Sequence, residues 1–261
     1  MTPDPPPTPG FPPGPPPGAD GGVCGLAPLV RRLERAAAFR AARGRPFVLL
    51  TYAQSVDGSI AGPRRERIRL SGPEAMGLTH RLRALCETIL VGIGTVLADD
   101  PRLGVKPPAT SGPRPIVLDT HLRIPRRARL LQRDDARPLL AHGPHAPPGR
   151  RRALEAAGAE PVCCPLDPHG RVDAAWLLER LGRAAVNSVM VEGGARVITH
   201  FLRHRLADAL MITICPRLLG GLPALDGARA AGGLAIDFPS WGFERVGTDV
   251  VFFAAPPWAD P

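Results

Sequence analysis

The chain has 261 residues, 44% of them hydrophobic, and a formal net charge of +9. That composition fits a globular protein, and no apolar run approaches the length of a bilayer span. The N-terminus lacks a basic stretch followed by an apolar one, so no secretory signal is expected. The five cysteines form no CxxC pair, which argues against a disulfide framework or a zinc site and makes a reducing cytoplasm the expected compartment. Lys106 is the single lysine, so the positive charge is almost all arginine, and it is dispersed. The densest cluster, Arg126-Arg127-Ala128-Arg129, has no interleaved aromatics and reads as a solvated surface rather than a nucleic-acid groove.

Residues 1–22 are dominated by Pro and Gly and cannot bury enough apolar surface to fold, so a disordered tail is expected there. Residues 23–45 read as one amphipathic helix over Leu26–Ala42, stopped by Gly44 and Pro46. From residue 46 to 261 a single domain is expected, in which strands and helices alternate. Strands are predicted at Phe47–Ala53, Thr88–Val91, Pro115–Leu118, Leu139–Ala141, Glu160–Cys163, Ser188–Val191 and Ala209–Cys215. Helices are predicted at Pro73–Ala84, Gly149–Ala157, Asp173–Ala184 and Ala195–Arg203. Ser71 and Glu74 have capping-box spacing, and Asp173 suits a helix N-terminus. Phe243–Val246 and Val250–Ala254 flank Gly247-Thr248-Asp249, a hairpin signal. The expected fold is therefore α/β in three α/β/α layers, with a mostly parallel mixed sheet finished by a C-terminal antiparallel hairpin.

Three segments carry chemistry. In Ile89–Pro101, an apolar run ends in Gly92-Ile93-Gly94-Thr95, followed by Asp99-Asp100. A strand that breaks into a helix at glycines exposes N–H groups that suit a phosphate. In Ser188–Ile198, a buried strand ends in Glu192-Gly193-Gly194 and then a helix. This shares the logic of dinucleotide folds without the GxGxxG fingerprint, and no P-loop occurs. Glu192 either faces a ligand or complements the helix dipole. In Leu50–Gly58, a strand ends in Ser55-Val56-Asp57-Gly58, and Asp57 is either part of a turn or an acid at the sheet edge. His200 and His204 share a helix face at i, i+4, a metal-like spacing. With no HExxH glutamate and no third ligand nearby in sequence, it reads as ordinary helix packing, and no metal is expected.

Together TYAQSVDGSI, LSGPEAMGLTHRLRALCETILVGIGTVLADDPRL, RPIVLDTHLRIP, VMVEGGARVI and PRLLGG resemble the RibD-type reductase domain of riboflavin biosynthesis, a dihydrofolate-reductase-like fold. The TYAQSVDG and THRLR forms look more like the stand-alone fungal and archaeal reductases than the bacterial fused enzyme. The zinc-deaminase signature of the fused enzyme is missing, so deamination is not expected. The resemblance implies NADPH-dependent reduction of a 5-phosphoribosylamino pyrimidine to its 5-phosphoribitylamino form, with hydride delivered to sugar C1′. It implies that Ala53, Thr95, Asp99 and Thr120 line the cofactor site. Gly193, Gly194, Ala195, Arg196, Val197 and Ile198 would hold the pyrophosphate. Arg83, Leu103, Lys106 and Glu192 would meet the substrate, with Asp57 and Glu192 as the catalytic acids. Lys106 stands where the bacterial family has arginine, and Arg67–Arg69 departs from its polar and aromatic contacts. A homodimer is implied, through an apolar C-terminal strand at Val250–Ala255 that would otherwise be an exposed edge. Two other readings fit the residues: a reductase of the same fold acting on another substrate, and a non-catalytic nucleotide-binding or scaffold protein.

Overall fold

The computed structural model describes residues 25–64, 66, 68–105, 112–227 and 234–259; the Pro-rich segment 1–22, Lys106 and Arg67 lie outside them. Two short helices, α1 (Leu26–Glu34) and α2 (Ala36–Arg43), open the described chain. One continuous helix was expected here. The helix instead breaks at Arg35 (φ −92°, ψ 8°), which lets α2 bury Ala36 and set Phe39 edge-on to Phe47 at 5.4 Å. Gly44 ends α2 in the left-handed conformation (φ 69°), as a C-terminal glycine does.

The strands and helices then follow largely at the expected places. They are β1 (Phe47–Ser55), β2 (Ser59–Ala61), α3 (Pro73–Leu85), β3 (Thr88–Gly92), α4 (Ile93–Asp99), β4 (Arg114–Leu118) and a 3₁₀ turn (Arg129–Gln132). Next come β5 (Leu139–His142), α5 (Pro148–Ala156), β6 (Glu160–Cys163), α6 (Ala174–Arg183), β7 (Ser188–Val191), α7 (Ala195–Arg203) and β8 (Ala209–Cys215). The two-residue β9 (Leu222–Pro223) precedes the hairpin strands β10 (Ser240–Val246) and β11 (Asp249–Ala255). Asp173 caps α6, its Oδ1 accepting from the Trp176 N–H at 3.1 Å. At α3 the cap is Gly72, without a side-chain cap bond, so Ser71 does not take the expected role.

Nine strands form one sheet in the order β10-β11-β8-β1-β7-β3-β4-β5-β6. From β8 to β6 every neighbouring pair is parallel, and β11 and β10 add on antiparallel. Helices α6 and α7 cover one face, where Leu177, Leu178, Leu181, Ile198, Phe201 and Leu202 meet Val48, Leu50, Val189 and Val191. The opposite face is covered by α1 and α3 over β1, β7, β8 and β11, and by α5 over β3, β4 and β5. Central strands buried on both faces explain the unbroken apolar runs that marked them. The expected three-layer architecture thus stands. The sheet edge is β10, not the Val250–Ala255 strand, because β10 covers β11 along its whole length. Among the described residues, no helix is long and apolar enough to cross a membrane.

Candidate active site

Strand lengths open the site. β7 pairs with β1 only from Phe47↔Ser188 to Leu50↔Val191, whereas β1 runs on to Ser55 with β8 alone beside it. Residues Thr51–Ser55 therefore overhang the carboxyl ends of β7 and β3. Chains leaving these three strands diverge: α3 and α4 pack on one face, α7 on the other. Such a divergence at the carboxyl edge of a parallel sheet leaves a crevice, the usual ligand position in open α/β sheets. Ala53 and Tyr52, both half-buried, lie on the overhang. Burial raises the Tyr52 phenol to about 12, so it stays protonated at neutral pH.

The two glycine turns face each other across this crevice. Gly92 ends β3, and a Cβ there would lie 2.8 Å from Val197 Cγ2; one on Gly193 would lie 2.5 Å from Val197 Cβ. Only glycine lets α7 come this close to the strand ends. At Gly194 a Cβ would sit 3.5 Å from Thr95 Oγ1, which measures the gap between the turns. The N–H groups of Val197 and Ile198 already donate to the Gly194 carbonyl at 2.9 and 3.1 Å. Their side chains are buried. The first-turn amides of Ala195 and Arg196 have no acceptor within the helix. The Arg196 side chain is turned to solvent against Asp226 at 3.4 Å.

Thr120 stands just past β4. Its hydroxyl accepts from Val172 N–H at 3.3 Å and its carbonyl accepts from Gly143 N–H at 2.9 Å, so it ties together the chain just past β4 and β5. Asp99 closes the last turn of α4.

Arg83 and Glu192 lie 109 residues apart and meet as a two-pronged ion pair, with Nε to Oε1 and Nη2 to Oε2 both at 2.5 Å. Arg83 comes from α3, and Glu192 follows β7 with its N–H donating to the Leu90 carbonyl at 2.9 Å. Arg83 Nη1 also donates to the Gly104 carbonyl at 3.1 Å. Burial works against the guanidinium's charge, but the Glu192 carboxylate outweighs it and the Arg83 pKa is raised. A guanidinium has five N–H donors. Three are used, so two remain for a ligand without breaking the pair. The side chains are 15% and 19% exposed, so the pair is not sealed from solvent. Cys86 beside it is no nucleophile, since burial and then the Glu192 charge push its thiol up to about 12.

Two expected residues have other positions. Asp57 accepts from Ser55 Oγ (2.5 Å), Ser59 Oγ (2.8 Å), Leu219 N–H (3.0 Å) and Gly220 N–H (2.8 Å). The Ser55 bond first, then the Leu219 and Ser59 bonds, hold its carboxyl well below the usual carboxylate range. These four bonds make Asp57 a tie between the β1–β2 turn and the Leu219-Gly220 loop. The same loop pairs β9 with β2, and a Cβ on Gly221 would lie 2.0 Å from the Ala61 carbonyl oxygen. SVDG and LLGG thus form one structural unit. Leu103 (φ 56°) is 4% exposed and packs with Val117 and Leu130. Any ligand contact there falls to backbone, which sequence reasoning missed together with the Gly104 carbonyl. Lys106 lies outside the described residues.

Among the described residues, two glycine turns, the first-turn amides of α7 and an ion pair lie at the carboxyl edge of the sheet. Comparison with known proteins is specific. The profile of the RibD C-terminal domain matches residues 46–252. The 2,5-diamino-6-ribosylamino-4(3H)-pyrimidinone 5′-phosphate reductase of Archaeoglobus fulgidus is 37% identical over 187 residues, covering 68% of this chain and 83% of that protein. The reductase of the same name from Saccharomyces cerevisiae is 37% identical over 185 residues, covering 67% and 74%. The solved structure of the Saccharomyces riboflavin biosynthesis reductase Rib7 superposes with a TM-score of 0.68 at 30% identity, covering 87% of this chain and 99% of that one. The chain belongs to the RibD C-terminal domain family.

Proposed function

We propose that the chain is an NADPH-dependent reductase that converts 2,5-diamino-6-ribosylamino-4(3H)-pyrimidinone 5′-phosphate to its ribitylamino form. The observation that carries this reading is the Arg83–Glu192 pair, set directly before the Gly193-Gly194 turn that faces Thr95. Support for the substrate comes from relatives named for that reaction at 37% identity over most of their length. Bound NADPH supplies the hydride. The chain's own part is positional: the amides of Ala195 and Arg196 hold the pyrophosphate at the positive end of α7. Thr95 closes the gap across from them, and Ala53 and Thr120 border the same crevice. The two unused N–H donors of Arg83 point a fork at the sugar phosphate, and Glu192 fixes that fork. Glu192, whose carboxylate holds Arg83, is also the acid that meets the substrate in this reading. Holding the two reactants in register is the main catalytic demand when the cofactor carries the hydride.

In the same reading the enzyme works as a cytoplasmic homodimer, and the exposed Trp241 and Phe243 of the edge strand β10 are the apolar surface a second subunit would cover. The test is NADPH oxidation assayed side by side on the diamino-pyrimidinone phosphate, its deaminated uracil counterpart and dihydrofolate. Turnover with the first is expected. Oxidation with dihydrofolate alone would sink the proposal.

A further inference from the structure

The chain that presents the Gly104 carbonyl to Arg83 is itself gripped from another element. Leu103, one residue earlier, has φ 56°, a left-handed value that a bulky side chain rarely adopts and that persists only where its surroundings impose it. Packing supplies part of that constraint, because Leu103 shares an apolar cluster with Leu130 and Leu131 of the 3₁₀ turn. These leucines anchor the turn, and the Arg129 N–H fastens its start to Asp100 Oδ1 at 2.9 Å. The backbone then runs extended through Arg133, whose side chain turns inward and is only 6% exposed.

Arg133 supplies the rest. Its Nη1 donates to the Leu103 carbonyl at 3.0 Å and to the Pro113 carbonyl at 3.1 Å. Nε and Nη2 donate to Asp135 Oδ1 (2.8 Å) and Oδ2 (2.6 Å), and Oδ2 also accepts from the Gly112 N–H at 3.0 Å. A Cβ on Gly112 would lie 3.0 Å from Arg133 Nη2 and 3.5 Å from the Val105 nitrogen, so Val105 and Gly112 are brought together here. The Arg133 hydrogen bond, against the effect of burial, holds the Asp135 carboxyl well below the usual carboxylate range, so the pair is charged at neutral pH. Burying a guanidinium is costly unless its donors are used. Here they go to backbone on the segment that orients Arg83. Two arginines thus grip adjacent carbonyls, Arg133 that of Leu103 and Arg83 that of Gly104.

We propose that, within the reductase reading on which this rests, Arg133 braced by Asp135 is a positioning residue: it sets the Leu103-Gly104 turn whose carbonyl aims the Arg83 fork at the sugar phosphate. Arg133 touches neither reactant, and its whole effect on turnover passes through Arg83.

The test combines steady-state kinetics with hydrogen exchange on the full chain. Arg133→Met keeps a long apolar stem and removes all five donors. It should lower kcat/KM about tenfold, chiefly by raising KM for the diamino-pyrimidinone phosphate, and leave NADPH affinity unchanged. Amide exchange at Leu103–Val105 should quicken in the same variant. Arg133→Lys should recover only part of the loss, since one ammonium cannot span two carbonyls and a carboxylate. In an Arg83→Lys background, Arg133→Met should cost less than about twofold more, because the two act as one unit. Asp208→Ala, which loosens the fold elsewhere, should leave kcat/KM unchanged and so separates positioning from general destabilisation. If Arg133→Met folds poorly, Asp135→Asn alters a partly exposed side chain and should give the same KM shift in smaller measure. Wild-type kcat/KM in Arg133→Met, or losses that multiply in full with those of Arg83→Lys, would overturn the proposal. Absence of turnover in the wild-type chain would be a failure of the reductase reading, whereas unchanged exchange at Leu103–Val105 in Arg133→Met would be a failure of the clamp whichever substrate the site takes.

Discussion

Glu192→Gln is the substitution that separates the candidate site's parts most sharply. The amide keeps the carboxylate's shape but loses its charge and turns one acceptor into a donor. Arg83 Nε and Nη2 each donate to one Glu192 oxygen at 2.5 Å, so one of those bonds becomes a donor facing a donor. Arg83 keeps its bond to the Gly104 carbonyl but loses its counter-charge at 15% exposure. Breaking a fully buried pair costs about 3–5 kcal/mol, and a hydrogen bond to a charged group contributes about 1.5–3. With one bond kept and part of the pair open to solvent, a loss of about 2 kcal/mol of stability is expected, read from the urea midpoint at constant m-value. The second consequence is catalytic. A freed guanidinium no longer holds its two spare donors toward the crevice, and misplacement on that scale costs on the order of 100-fold in kcat/KM. NADPH affinity should be unchanged, because the donors proposed for the cofactor, the Ala195 and Arg196 amides, lie on α7. An Arg83→Lys variant should show a similar loss, since an ammonium cannot reproduce the two-pronged geometry. If Glu192→Gln unfolded at the wild-type midpoint and kept wild-type kcat/KM, the pair would be an ordinary surface contact and this account of the site would be wrong.

Gly194→Ala should fold normally, because its Cβ meets nothing closer than 3.5 Å, yet weaken NADPH binding about tenfold by filling the gap between the turns; calorimetric titration reads this directly. Gly193→Ala should instead destabilise by about 1–3 kcal/mol, since its Cβ would lie 2.5 Å from Val197 Cβ; a wild-type melting curve would contradict the close packing of α7. Asp57 has a depressed folded-state pKa, so its contribution to stability is complete above the unfolded carboxyl value near about 3.9 and is lost as pH falls toward its folded value. Asp57→Asn should therefore lower the urea midpoint at pH 7 and lessen its decline in acid, without altering the shape of the rate profile above pH 5. Asp208→Ala removes the acceptor of both Arg45 prongs (2.7 and 2.8 Å) and of the Val48 N–H (2.8 Å), and should cost about 3 kcal/mol by chemical denaturation.

Much of this was legible in the chain because it is local. The parallel strands announce themselves as short apolar runs, and both glycine turns follow such runs directly, so the carboxyl edge could be located from Leu90–Gly94 and Val191–Gly194. The Gly247-Thr248 loop likewise showed in composition: Gly247 takes a positive φ of 64° in a two-residue connection between β10 and β11. What the sequence hid is long-range or brief. Nothing near Arg83 marks Glu192 as its partner, and strands as short as β2 and β9 leave no periodicity to read. The break at Arg35 involves no glycine or proline, because tertiary packing on Phe47 causes it. Asp57 shows a related ambiguity. An acid after a strand at the sheet edge looks the same in sequence whether it faces a ligand or folds back onto two serines and a distant loop. Leu103 takes a left-handed backbone conformation and buries its side chain in the core, which no local pattern announces.

In the proposed reaction, hydride passes from NADPH to the sugar carbon of a phosphoribosylamino pyrimidine held by Arg83 and Glu192. Turnover of the diamino-pyrimidinone phosphate with NADPH deuterated at the transferred position, followed by mass spectrometry and NMR of the product, tests it most directly. The account predicts one deuterium at C1′ of the ribityl chain, formed far more slowly by Glu192→Gln. A product without deuterium at C1′, or NADPH oxidation that does not require the pyrimidine, would contradict it.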